Sequence, residues 1–213
     1  MNGKLGKALA LIVVLLLTGA GVLFAVNNQK VQPSAPITQT PTREIPESCP
    51  AHPDVVENPT QFLVLGTSTP LKMLSLGLDA DDAAATPPPN EGYTVAWYNE
   101  GPKVGSSQGI ATLTAHTNYY GGALGNDLQN GVWTEGETVI KISDDEGRSA
   151  CYRYSGSEHI MVADYDKDVN GHLIYDDEGD PRFALVVCSD LTNDGTYEFI
   201  GRMIYYGNLI SAD

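Results

Sequence analysis

The chain has 213 residues, enough for one domain with extensions. Its 42% hydrophobic residues allow a packed core, and 22 Gly with 13 Pro favour turns over long helices, so the body should be all-β or β-rich. A net charge of −15, with no basic run or basic–aromatic stripe to offset it, argues against a nucleic-acid partner and favours solubility.

Residues 1–7 carry Lys4 and Lys7 and no acid, and read as a cytoplasmic tail. Residues 8–26 are 19 uncharged residues rich in Leu, Val and Ile. At about 1.5 Å per residue they span a hydrocarbon core of roughly 30 Å, which predicts a transmembrane anchor. The alternative is a cleaved signal peptide, with Ala20, Gly21 and Ala25 as small cleavage-site residues. The apolar run exceeds the usual apolar region of about 7–15 residues, which favours a retained anchor. Either reading puts the body outside the cytoplasm. Residues 27–58, rich in Pro, Thr, Gln and Ser, read as a disordered spacer lifting a folded body, residues 59–213, off the bilayer.

Within the body, residues 61–67 (QFLVLGT), 71–78 and 93–98 read as strands, with a loop at 86–90 (TPPPN) between the last two. Residues 109–116 (GIATLTAH) read as a buried strand ending on a histidine. One short helix fits within 119–129. Strands are expected at 138–143, 150–155 and 159–163, a central strand at 183–188 (FALVVC), and a last one at 197–206. Many short strands with Gly-rich turns suggest a closed or nearly closed barrel.

Three residues share a position type: His116 and Cys188 end predicted strands, and Arg202 lies in the last. Strand ends can converge at one rim of a barrel. A thiolate is a strong nucleophile, but free Cys titrates near 8.5, so it needs a neighbouring base. An imidazole can take the proton and return it to a leaving amine. A guanidinium, always charged, can stabilise the oxyanion or hold substrate backbone. Singly, each residue is more often structural: an inert core cysteine, a strand histidine, a solvated edge arginine.

The flanking strings strengthen the combination. Thr112–His116 (TLTAH), Leu185–Ser189 (LVVCS) and an arginine 14 residues past the cysteine together resemble the sortases, the surface transpeptidases of Gram-positive bacteria. Trp97–Pro102 (WYNEGP), Gly105 and Ala123–Asn126 (ALGN) look most like the class F group of actinobacteria. The resemblance runs from about Gln61 to Asp213.

That resemblance implies an eight-stranded β-barrel with short helices. It implies cleavage of an LPxTG-like sorting signal on client surface proteins, through a thioacyl-enzyme resolved by an amine of a peptidoglycan precursor. Cys188 would be nucleophile, His116 general acid/base and Arg202 the oxyanion or substrate-positioning residue. Thr117, Val187 and Ser189 would border the substrate. Val187 stands where the family often has Thr before its nucleophile, which bears on substrate recognition rather than mechanism. No second apolar segment follows Arg202, which favours handling of single surface proteins over pilus building. The alternatives are a thiol protease, in which water resolves the thioester, and a tethered binding module without turnover.

The chemistry requires no cofactor. However, residues 166–177 (DKDVNGHLIYDD) resemble an EF-hand loop, with Asp166, Asp168, Asn170, His172 (through its backbone carbonyl) and Asp177 as candidate calcium ligands around Gly171. Asp177 replaces the usual bidentate Glu, and no flanking helices are evident. Cys49 and Cys151 could pair in an oxidising exterior or stay free. No Cys/His pair has zinc-ligand spacing.

Overall fold

The computed structural model describes residues 44–212. The predicted anchor at 8–26 and most of the predicted spacer lie outside them. No helix among the described residues is long and apolar enough to cross a membrane. The elements are β1 (Gln61–Val64), β2 (Leu71–Leu76), β3 (Thr94–Tyr98), β4 (Ile110–Ala115), α1 (Leu124–Gln129), β5 (Val139–Ser143), β6 (Ser149–Met161), α2 (Lys167–Asn170), β7 (Arg182–Leu191) and β8 (Phe199–Leu209). The eight strands close into a barrel in the order β1-β2-β3-β4-β7-β8-β6-β5. The pairs β2–β3 and β4–β7 are parallel and the rest antiparallel.

Period-two alternation divides each strand between two faces. Ala111, Leu113 and Ala115 of β4, Phe183, Leu185 and Val187 of β7, and Tyr205 of β8 point into the barrel core with Phe62, Trp97, Ile140 and Tyr152. The outward positions Ile110, Ala184, Val186, Ile204 and Tyr206 form a second apolar cluster. Leu173, Ile174 and Tyr175, from the connection between β6 and β7, cover that cluster. The continuous apolar run of β7 is thus a strand buried on both faces. Gly207 leaves room for the Phe183 ring, because a Cβ there would stand 2.4 Å from Phe183 Cε1.

Two expectations change. Nine apolar runs give eight strands, because the predicted strands at 150–155 and 159–163 are one strand, β6. The register shifts between Tyr154 and Gly156, leaving Ser155 as an extra residue. Tyr152 and Tyr154 face the core before the bulge, while after it the odd-numbered His159 pairs with Met203, which packs on that core. One strand therefore keeps the same faces with two parities.

The second correction concerns the spacer. Residues 44–58 were expected as part of it, yet they belong to the barrel's compact unit. Val56 is fully buried and donates its N–H to Val104 O at 2.9 Å. Cys49 is disulfide-bonded to Cys151 on β6. The polar, proline-rich composition hid a few apolar anchors that pack against the barrel and need no core of their own.

Candidate active site

Cys188 lies on β7 between the core-facing Val187 and Ser189, and so projects to the barrel's outer face. It is partly exposed and is the one cysteine outside the disulfide. Arg202 is its direct cross-strand partner on β8. On the other side of β7, the parallel register with β4 runs to Thr114 opposite Val186. Two residues further, His116 comes level with Cys188. Cys188 and Arg202 form a directly opposed antiparallel pair, for which Cβ atoms are about 4.5–5.5 Å apart, and His116 follows one residue past the end of β4.

Each is held by its neighbours. His116 Nε2 lies 2.7 Å from Pro87 O. A carbonyl only accepts, so Nε2 carries the proton, and in the neutral ring Nδ1 is left as the nitrogen able to take one. The His116 carbonyl accepts Gly125 N–H at 2.8 Å, at the first turn of α1. Gly125 permits that approach, since a Cβ there would be 2.2 Å from Thr117 Oγ1. The Cys188 carbonyl accepts Thr117 Oγ1 at 2.7 Å and Gln129 Nε2 at 3.1 Å. The Arg202 guanidinium donates to Gly201 O at 2.7 Å and Phe199 O at 3.3 Å. Gln129 and Pro87 were missed by sequence reasoning. A glutamine on a short helix and a proline in a loop carry no local signal of what they meet across the fold.

The connection between β2 and β3 straps the outer face of β4. Thr114 Oγ1 donates to Ala85 O at 2.8 Å, and Ala84 N–H donates to Tyr175 OH at 3.0 Å. Thr112 Oγ1 donates to Ile174 O at 2.7 Å. Between this strap and the β6–β7 connection lies a cavity of ≈ 390 Å³ bordered by Tyr98, Thr112, Tyr175 and Asp177. Past the site, the segments following His116 and Cys188 meet through Tyr119 and Tyr197, whose ring centroids are 4.8 Å apart.

The expected substrate-bordering residues separate. Thr117 supports the nucleophile's backbone. Val187 is 1% exposed in the barrel core and can touch no substrate, so its assignment is corrected. Ser189, 4% exposed, has the opposite parity to Cys188 and borders a different cavity of ≈ 510 Å³ with Gln129 and Trp133, so it too is removed from the substrate face. The reason is the same for both: neighbours in sequence on a strand lie on opposite faces.

The candidate calcium segment is a short helical stretch, α2 followed by a 3-10 turn at Gly171–Leu173. Asp166 Oδ1 caps it by accepting Asp168 N–H at 2.9 Å, and Asn170 Oδ1 accepts Asp166 N–H at 2.9 Å. Among the described residues no group of three or more His, Cys, Asp or Glu side chains is arranged to hold a metal ion. Asp177 borders the smaller cavity beside His172 instead of closing a ring with Asp166.

No protein-family model and no curated protein matches the chain. Solved structures do. Sortase C1 of Streptococcus agalactiae, in complex with MTSET, is 18% identical with a TM-score of 0.50, over 73% of this chain and 70% of that one. Sortase C of Streptococcus pneumoniae is 13% identical with a TM-score of 0.50, over 74% and 70% of the two chains. At such identities the likeness is one of fold, and the barrel is sortase-like.

Proposed function

We propose that this chain is a sortase: a cysteine transpeptidase, tethered to the cell membrane by residues 8–26, that works outside the cell. The observation that carries the proposal is the register. Cys188 stands opposite Arg202, and the β4–β7 register, continued two residues past Thr114 and Val186, brings His116 toward Cys188. The Cys49–Cys151 disulfide supports an oxidising exterior, since such bonds are rare in the cytosol.

In the proposed reaction an LPxTG-like segment of a surface protein reaches the partly exposed Cys188 near the end of β7, past the covered stretch of the outer face. Cys188 Sγ, its proton taken by His116, attacks the Thr carbonyl carbon. The oxyanion faces the Arg202 guanidinium. Collapse breaks the Thr–Gly C–N bond, His116 gives its proton to the departing amine, and a thioester remains. An amine, in the cell one of a peptidoglycan precursor, attacks the thioester carbon. The C–S bond breaks, and the amine's proton passes through His116 as the thiol is restored. Class F is the group its strings most resemble. No cofactor enters these steps. Calcium, proposed for the 166–177 segment, would act by opening the helical turn in which Asp166 and Asn170 now engage their oxygens. Turnover and melting temperature that do not respond to calcium or chelator dismiss it.

The test is incubation of the full-length chain with an LPxTG-type peptide and an amine. A new amide product, absent with Cys188→Ala, is expected. Hydrolysis alone would make the chain a thiol protease. No product from either protein would leave a tethered binding module.

A further inference from the structure

Beyond the three residues of the proposed chemistry, a second polar cluster sits on the far side of the same strands. Asp190, two residues after Cys188, has φ 56°, a left-handed backbone that Asp tolerates better than most residues. Ser189 Oγ donates to Asp190 Oδ2 at 2.6 Å, and His159 Nε2, from β6, contacts the same oxygen at 2.6 Å. That oxygen lies over Gly201, where a Cβ would stand 2.0 Å from it. Gly201 in turn gives its carbonyl to the Arg202 guanidinium at 2.7 Å. A line of contacts thus runs from β6 through Asp190 and Gly201 to Arg202, joining the strand of the nucleophile to that of the cation.

We propose that Asp190 is a positioning residue for the Cys188–Arg202 pair, its carboxylate held by Ser189 and His159 over the bare Cα of Gly201 so that the backbone from which Arg202 reaches stays in register with Cys188. The inference rests on the acyl-transfer reading above. Two features argue against an incidental surface contact. A surface ion pair does not need a left-handed backbone on one partner, and it does not need a glycine beneath it. The hydrogen bond from Ser189, and then that from His159, hold the Asp190 carboxyl below its ordinary range, so the carboxylate form that accepts both bonds persists at neutral pH. Arg202 makes no salt bridge with Asp190; the carboxylate is engaged by His159 instead. It therefore acts on the arginine through backbone, and the guanidinium's charge remains for the substrate.

The test is a double-mutant cycle in the full-length chain with Asp190→Ala, Gly201→Ala and both. Each single change is expected to lower kcat for peptide cleavage about tenfold or more, with peptide KM altered less than about twofold, because a positioning defect acts on the transition state more than on peptide binding. The pair should be little worse than Asp190→Ala, since the carboxylate is the nearest obstacle to a methyl at residue 201 and the next, Ser189 Oγ at 2.6 Å, is free to rotate once its acceptor is gone. Asp190→Asn, which keeps an oxygen for Ser189 and His159, should recover most of the loss. A second readout needs no substrate: the rate profile of Cys188 alkylation should differ from wild type in Asp190→Ala, as the backbone that carries Arg202 shifts beside it. Wild-type kcat and an unmoved alkylation profile in Asp190→Ala, or strictly additive losses in the double variant, overturn the proposal. If wild type itself shows no Cys188-dependent cleavage, the acyl-transfer reading fails, and the alkylation profile alone decides the positioning role.

Discussion

Arg202 is the residue whose chemistry is least replaceable in the proposed site. Its planar fork gives donors from one nitrogen to Gly201 O and Phe199 O, which leaves the donors on its other nitrogens for a substrate. Arg202→Lys keeps the charge but offers one ammonium in place of the fork, so kcat should fall about 10²-fold while peptide KM changes little. Near-normal kcat in that variant would remove Arg202 from the transition state. Another residue-scale consequence concerns Asp144, only 6% exposed. Burial alone would raise its carboxyl, but hydrogen bonds from the Arg148 side chain and from the Arg148 and Glu146 backbone more than reverse this, and it lies below its ordinary range. A carboxyl whose folded value is depressed stabilises the fold above its unfolded value, near 4, and that contribution is lost as pH falls. Asp144→Asn should therefore melt lower than wild type at pH 7, with the gap narrowing toward pH 3. A gap that stays constant over that range would mean the ion pair with Arg148 contributes nothing.

At the scale of elements, β6 decides how the barrel closes. It pairs with β5 through its first half and β8 through most of its length, and the bulge after Tyr154 lets it do both. Gly156, at φ 130°, supplies the turn in the backbone. A side chain there would meet only Glu135 Oε2, at 3.7 Å, so space is not the obstacle. Gly156→Ala should cost about 1–2 kcal/mol through backbone strain alone. Denaturant unfolding checks this, and an unchanged midpoint would show that the bulge relaxes without cost. α1 acts in the same structural way near the site: with only six residues it presents Gly125 to the His116 carbonyl and Gln129 to the Cys188 carbonyl. It ties the ends of two strands whose relative position is what the proposed chemistry uses.

For the molecule as a whole, the disulfide joins residues 102 apart in sequence and fastens the segment before β1 to β6. Closing a loop of that length restricts the unfolded chain by roughly 4–5 kcal/mol in the chain-entropy account. A Cys49→Ser/Cys151→Ser variant should unfold at markedly lower denaturant, yet keep Cys188 reactivity, because Cys49 and Cys151 pack in a small cluster with Val139 and Ile210 apart from the outer-face floor. Loss of Cys188 reactivity in the folded variant would mean that the two regions are coupled. The acidity of the chain, −15 overall, falls on a body in which three of the eight described Lys and Arg side chains are paired, Lys72 with Glu91, Lys103 with Glu57 and Arg148 with Asp144.

Much of this was legible from the residues in order. Period-two apolar patterns named the strands, because each strand's own side chains must alternate between core and exterior. The continuous run before Cys188 marked a strand covered on both sides. The strings around His116, Cys188 and Arg202 named the reactive candidates. What a linear chain could not carry was anything set by partners distant in sequence. Which face of β7 turns into the barrel decided that Val187 and Ser189 point inward and Cys188 outward, and a bulge merged two expected strands into one. Packing against the barrel turned a spacer-like stretch into structure. Local patterns are physical facts about single elements. Which groups meet is decided only when those elements exclude water from one another, and that is a property of the folded whole.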